Sequence, residues 1–122
     1  RYGEKVAKAQ DKNSDIAQER TVASRFIKRA PIIRRVPKLS DIEKLLSEGY
    51  VVIVNVNSAA LHGFDDYSGH FVVVTDVGEE IILHDPGLPP SPNFRGSKEI
   101  FHNAWAYQKD NDKHLLAVRL RI

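Results

Sequence analysis

Residues 69–85 read GHFVVVTDVGEEIILHD, and this stretch decides the fold. Two runs with strand character, His70–Thr75 and Glu80–Asp85, flank a polar segment that contains Gly78, which is the composition of a tight β-hairpin. The apolar residues within each run are consecutive rather than alternating, so both faces of each strand should be covered. The stretch therefore predicts two neighbouring antiparallel strands inside a sheet.

A helix and a third strand are predicted immediately upstream of this hairpin. The segment Ser40-Asp41-Ile42-Glu43 has the pattern of a capping box, which predicts a helix that begins at Ser40 and ends at Gly49. The run Val51–Val56 follows and is apolar on both faces. It predicts a central strand.

An earlier helix is predicted from a cap at Ser14 or Asp15 to a stop at Pro31. Its apolar residues recur at helical spacing and predict one buried stripe, formed by Ile16, Ala23, Phe26, Ile27 and Ala30. From Arg20 to Ser40 the chain has seven basic residues and no acidic one. Because this block contains no nucleic-acid-binding signature, we interpret it as a solvated basic face and expect no nucleic-acid partner; recognition of an acidic peptide is the alternative.

The downstream part of the chain completes an α+β pattern. Residues Pro86–Gly96 are rich in Pro and Gly and predict an irregular surface loop. Ser97 can cap a short helix in which Trp105 is a core anchor. A half-exposed closing strand is predicted where apolar residues alternate with other residues, at Leu116, Val118, Leu120 and Ile122. The predicted fold has N-terminal helices packed on a mostly antiparallel sheet.

Composition excludes several classes of protein. The chain has 122 residues, a formal net charge of +2 and no cysteine, so it contains no disulfide framework, no thiolate metal site and no cysteine nucleophile. Its apolar runs are far shorter than the ~18 residues that cross a bilayer, so no membrane insertion is expected. The length fits a single domain spanning residues 1–122. Because the chain contains no methionine and begins with Arg1, we expect this domain to be N-terminally incomplete.

The predicted hairpin brings a histidine and an aspartate together. With an even-numbered loop that pairs Thr75 with Glu80, His70 falls directly opposite Asp85, and facing side chains have Cβ atoms about 5 Å apart. A carboxylate at that distance fixes the tautomer of an imidazole and stabilises its charged form. A loop one residue longer or shorter would separate the two side chains. The alternative interpretation is a core histidine satisfied by a neighbouring carboxylate.

Other histidines and acidic residues invite further hypotheses. His62, His84 and His102 could form a metal site with the predicted pair, but consecutive strand residues point to opposite faces, so His84 and Asp85 cannot share an ion. We therefore expect no metal and no cofactor, and interpret these three histidines as surface or packed residues. Two acidic loop residues, Asp65 and Asp66, could bind a basic substrate group or form a solvated loop tip.

Several of these motifs together resemble those of a known family. The segments Asp41–Leu46, Gly49–Val54, Gly69–Val74 and Asp85-Pro86, over about residues 38–106, are similar to those of the double-glycine leader peptidases. These are bacteriocin-processing, papain-like cysteine peptidases. The resemblance implies a papain-like fold and a peptide or protein substrate.

The resemblance also implies roles for the site residues. His70 would be the general base and acid, and Asp85 would orient it. The family's nucleophile is a Cys at the start of an N-terminal helix, preceded by a Gln that completes the oxyanion hole. Neither has a match here, because Gln10, Gln18 and Gln108 are wrongly placed.

The segment Arg1–Lys5 resembles the tail of that nucleophile helix, so the implied Cys lies upstream of residue 1, in a larger polypeptide or a separate N-terminal segment. The main hypothesis is therefore a cysteine peptidase domain that lacks its nucleophile helix. The alternatives are a catalytically inactive peptide-binding or docking domain of the same fold, and a structural domain with a chance His-Asp pair.

Overall fold

The sheet-forming part of the chain, residues 36–122, is one unit of the structure, and residues 1–35 are another. The computed structural model describes residues 4, 8, 12, 15–106, 109–110 and 113–121.

The first unit contains helix α1, Ile16–Ile27. The predicted Asp15 cap is confirmed, because its carboxylate accepts a hydrogen bond from the backbone N–H of Gln18 at 3.0 Å. The predicted buried stripe is wrong at two of its members, since Ala23 is exposed and Phe26 is 50% exposed, whereas Ala30 is half-buried. The side chains of Ile16 and Ile27 lie outside the described part of the structure. Helical periodicity shows that one face of a helix is apolar, but it does not show whether another part of the structure packs against that face.

Helix α2, Leu39–Ser47, begins one residue before the predicted start. The cap is not Ser40, because Asp41 accepts a hydrogen bond from the backbone N–H of Lys38 at 2.7 Å and thereby moves the helix start upstream. The C-terminal stop at Gly49 is confirmed. Its φ of +84° is a left-handed conformation that favours glycine, and it turns the chain into the first strand.

Five strands form one sheet in the order β4-β3-β2-β1-β5, and every neighbouring pair is antiparallel. The strands are β1 Val51–Asn57, β2 Gly69–Val77, β3 Glu80–Asp85, β4 Ser91–Ser97 and β5 Leu115–Val118. The α+β class, the antiparallel sheet and the interior position of β1 are therefore confirmed.

Two elements lie where the sequence predicts only loops. Strand β4 occupies the second half of the predicted irregular loop Pro86–Gly96 and pairs with β3 at one edge of the sheet. An edge strand tolerates a proline such as Pro92, because its outer side has no partner strand to which the missing N–H would donate. The second element is the four-residue helix α3, Ser58–Leu61, directly after β1.

One face of the sheet carries the core, so the expectation that both faces are covered is wrong for β2, where Phe71 is 60% exposed. Helix α2 packs on β1 and β2, and helix α4, Lys98–Trp105, packs on β1, β3 and β4. Ser97 caps α4 as predicted, and Trp105 is 2% exposed, which confirms it as a core residue. The indole N–H of Trp105 donates to the backbone carbonyl of His114 at 2.9 Å and ties the helix to the start of β5. Among the described residues, no helix is long and apolar enough to span a membrane.

The closing strand is confirmed, but its inward face is not the predicted one. Leu116 and Val118 are 41% and 45% exposed, whereas Leu115 packs against the core. Side chains alternate between the two faces of a strand, and in this strand both faces carry aliphatic residues. The sequence pattern therefore does not identify which face is buried. The predicted position Ile122 lies outside the described residues.

Candidate active site

His70 and Asp85 meet in the structure, but through a different register from the predicted one. The two strands are displaced by two residues, so that Val74 lies opposite Leu83. This displacement makes Asp85 a diagonal rather than a direct neighbour of His70. A diagonal separation of roughly 7–8 Å between backbones is within reach of long side chains. The Nε2 atom of His70 lies 2.6 Å from Oδ1 of Asp85.

A β-bulge keeps the two side chains on one face of the sheet. The hairpin closes with Val77 opposite Ile81, which leaves an odd number of residues in the turn instead of the predicted even number. On its own, an odd loop would send His70 and Asp85 to opposite faces. The register shifts between Val74 and Asp76, where Thr75 is an extra residue on β2. This extra residue restores the alternation of side chains, so that His70 and Asp85 lie on the same face.

The carboxylate of Asp85 is the centre of the site. Four donors surround it, two at each oxygen. Oδ1 accepts from Nε2 of His70 at 2.6 Å and from the backbone N–H of Gly87 at 2.9 Å. Oδ2 accepts from Nε2 of His62 at 3.0 Å and from the hydroxyl of Ser58 at 3.1 Å. We call Ser58, His62, His70 and Asp85 the aspartate cluster.

The electrostatics of the cluster favour a charged carboxylate. Burial raises the pKa of Asp85, which is 3% exposed, but hydrogen bonds from His62, the Gly87 N–H and His70 lower it by more, so that its pKa falls to about 2. Asp85 is therefore an anion at neutral pH. A buried anion needs this many donors, because water cannot reach it to take their place.

Backbone geometry around the cluster brings its members together. The buried side chain of Asn57 donates to the carbonyl of Asp66 at 2.8 Å and accepts from the N–H of Ser68 at 3.0 Å, which fastens the loop between α3 and β2. At Gly87 a Cβ atom would lie 3.1 Å from the Asp85 carboxylate and 3.3 Å from the ring of His70. The close approach of the chain at this point therefore favours glycine.

The remaining candidate residues lie outside the cluster. Nδ1 of His84 accepts a hydrogen bond from the N–H of Asn93 at 3.0 Å, away from Asp85, in agreement with the alternation of side chains along β3. His102 lies 3.6 Å from a carboxylate oxygen of Asp110. Asp65 is an exposed loop residue. Within the described part of the chain, no group of three or more His, Asp or Glu side chains could hold a metal ion.

Two members of the cluster escaped the sequence interpretation. His62 was predicted to be a surface or packed histidine, and Ser58 was not a candidate. Ser58 is the first residue of α3 and His62 is the residue that caps its C-terminus, and this four-residue spacing places them on one face of a helical turn. The available signal was this Ser-x-x-x-His spacing immediately after a strand, but a four-residue helix has too few residues to show periodicity.

The arrangement suits His70 for proton transfer. Since Nε2 donates to Asp85, the neutral imidazole carries its lone pair on Nδ1, and the His70 side chain is 30% exposed. Within residues 15–106, Nε2 is the ring nitrogen of His70 for which a hydrogen-bond partner is present. The Ser58 hydroxyl is directed to Asp85 and supports the carboxylate.

The predicted N-terminal features fall mostly outside the described residues. Apart from Glu4, this holds for the segment Arg1–Lys5, which resembles the tail of a nucleophile helix. It also holds for Gln10 and Gln108, whereas Gln18 is an exposed residue of α1.

Comparison of the chain with protein-family models, with curated proteins and with solved structures finds no match.

Proposed function

We propose that this chain is part of a papain-like cysteine peptidase domain of the leader-peptidase type, which acts on peptide bonds of a peptide or protein substrate. In this proposal His70 transfers the proton, Asp85 orients His70, and a cysteine outside these 122 residues is the nucleophile. The observation that carries the proposal is the 2.6 Å contact between Nε2 of His70 and the buried carboxylate of Asp85.

The reaction follows from the free nitrogen of His70. Nδ1 takes the proton of the cysteine thiol, and the thiolate attacks the carbonyl carbon of the scissile peptide bond. The imidazolium that forms is stabilised by the Asp85 anion and then donates its proton to the leaving amine. A thioester remains. Water, deprotonated by His70, attacks this thioester, releases the carboxylic acid product and restores the thiol.

A second candidate is a catalytically inactive peptide-binding domain of the same fold. It is supported by the absence of cysteine from the chain and by the position of the Ser58 hydroxyl, which hydrogen-bonds to Asp85 rather than to His70. In this alternative the cluster stabilises the walls of a binding surface and transfers no proton.

Alkylation of the complete translation product that contains these residues tests the proposal. With iodoacetamide near neutral pH, we expect one cysteine to react at least tenfold faster in the wild type than in His70→Ala, because the imidazole generates its thiolate. His102→Ala is the matched control, since His102 is exposed, lies 3.6 Å from Asp110 and is not one of the four donors to Asp85, and it should leave the rate unchanged. Equal rates in the wild type and His70→Ala would refute the peptidase proposal. A product without any reactive cysteine would favour the inactive alternative.

A further inference from the structure

Helix α3 presents two donors to the oxygen of Asp85 that faces away from His70. The Ser58 hydroxyl and Nε2 of His62 approach Oδ2 at 3.1 Å and 3.0 Å. They come from the first residue of the helix and from the residue that follows its last turn. The link between β1 and β2 therefore contacts the same carboxylate as His70.

Orienting an imidazole requires a carboxylate that is itself held in place. A buried carboxylate can rotate about its terminal bond, and this torsion has broad energy wells. The contacts at Oδ1 fix one oxygen, and the contacts at Oδ2 fix the plane of the group. Since Asp85 is 3% exposed, water is not at hand to replace a lost donor at Oδ2.

His62 is itself restrained for this task. Its ring packs edge-on against the ring of Phe94, with centroids 5.1 Å apart and an interplanar angle of 72°. Its side chain is 33% exposed, so one edge faces solvent while Nε2 faces Asp85. To donate from Nε2 in the neutral form, the ring must keep its proton on that nitrogen.

We infer that His62, assisted by Ser58, is a positioning residue that fixes the plane of the Asp85 carboxylate and thereby the tautomer of His70. This inference rests on the proposed function, because a fixed tautomer matters to the reaction only if His70 transfers a proton from Nδ1. It assigns to α3 a role in the site that the resemblance to leader peptidases does not supply.

The test is the tautomer ratio of His70, measured by long-range ¹H–¹⁵N NMR on the 122-residue chain at a pH where the ring is neutral. His62→Phe keeps a ring against Phe94 but removes the donor, so the ratio of Nε2–H to Nδ1–H should fall about threefold or more. His62→Gln restores an N–H donor and should keep the ratio near that of the wild type. A wild-type ratio in folded His62→Phe would overturn the inference.

Two further variants keep the result interpretable. If His62→Phe does not fold, Ser58→Ala takes its place and should lower the ratio in the same direction, and an unchanged ratio there would also overturn the inference. Asp85→Asn separates the two proposals. If it leaves the ratio of His70 unchanged, the proposed function fails. If it lowers the ratio while His62→Phe does not, only the role of His62 fails.

Discussion

Replacing Asp85 by asparagine should destabilise the fold strongly at neutral pH. The asparagine side chain keeps one acceptor oxygen, whereas four donors converge on the two oxygens of the aspartate. Two donors at one of the two positions would therefore face an NH₂ group. Leaving a buried donor unpaired in this way costs about 1–3 kcal/mol in the free energy of unfolding for each donor.

The pH dependence gives an independent magnitude for the same site. The pKa of Asp85 lies at about 2 in the folded chain against an ordinary value of 3.8. Because the folded-state pKa is the lower one, the ionised carboxylate contributes stability above the unfolded pKa, and this contribution is lost as the pH falls through the folded pKa. The difference amounts to roughly 2.5 kcal/mol at neutral pH, of which about 1 kcal/mol is lost by pH 3.

Urea unfolding of the wild type and Asp85→Asn at pH 7 and pH 3 measures both quantities. The stability difference between the two proteins should be several kcal/mol at pH 7 and should shrink by about 1 kcal/mol at pH 3, because the unfolded wild-type chain binds a proton at Asp85 in this range. A difference below about 1 kcal/mol at pH 7, or one that does not change with pH, would refute this description of the carboxylate.

Two other substitutions and one deletion have expected outcomes in the same urea assay. Gly87→Ala should lower the free energy of unfolding by about 1 kcal/mol, because the added Cβ would contact Asp85 and His70. In the control Gly78→Ala, the added Cβ has only one atom within 4.0 Å, so the free energy of unfolding should hardly change. Equal effects of the two substitutions would contradict the close approach at Gly87. Ser97→Ala should cost about 1 kcal/mol through loss of the α4 cap, and no change would mean that the cap bond is unimportant. Deletion of Thr75, the extra residue of the bulge, should cost less than about 2 kcal/mol and keep the β2–β3 register, so unfolding of this variant would contradict the bulge assignment.

Strong local patterns in the sequence predicted much of the fold. Consecutive apolar residues identified β1, β2 and β3. Gly49, whose backbone adopts a left-handed conformation, identified the end of α2. Strand β4 escaped because an edge strand contributes few apolar residues and tolerates proline, so its composition is that of a loop. Partner strands, which the local sequence does not encode, determine that it is a strand.

The site was predictable only in part. The sequence correctly identified β2 and β3 as neighbouring antiparallel strands, but the predicted register between them was wrong. His70 and Asp85 still lie on the same face, because the bulge compensates for the odd number of residues in the turn. The bulge itself has no glycine or other local signature, because it arises from the fit between turn length and core packing. The contribution of α3 depends on a tertiary contact across 23 residues, between His62 and Asp85, which no local pattern reports.

An experimental crystal structure of the chain gives the most direct test, through the distance between Nε2 of His70 and the nearer carboxylate oxygen of Asp85. We predict a hydrogen bond close to 2.6 Å, with both side chains on the same face of the sheet. A separation beyond about 3.5 Å, or side chains on opposite faces, would contradict the assignment of a proton-transferring pair at this site.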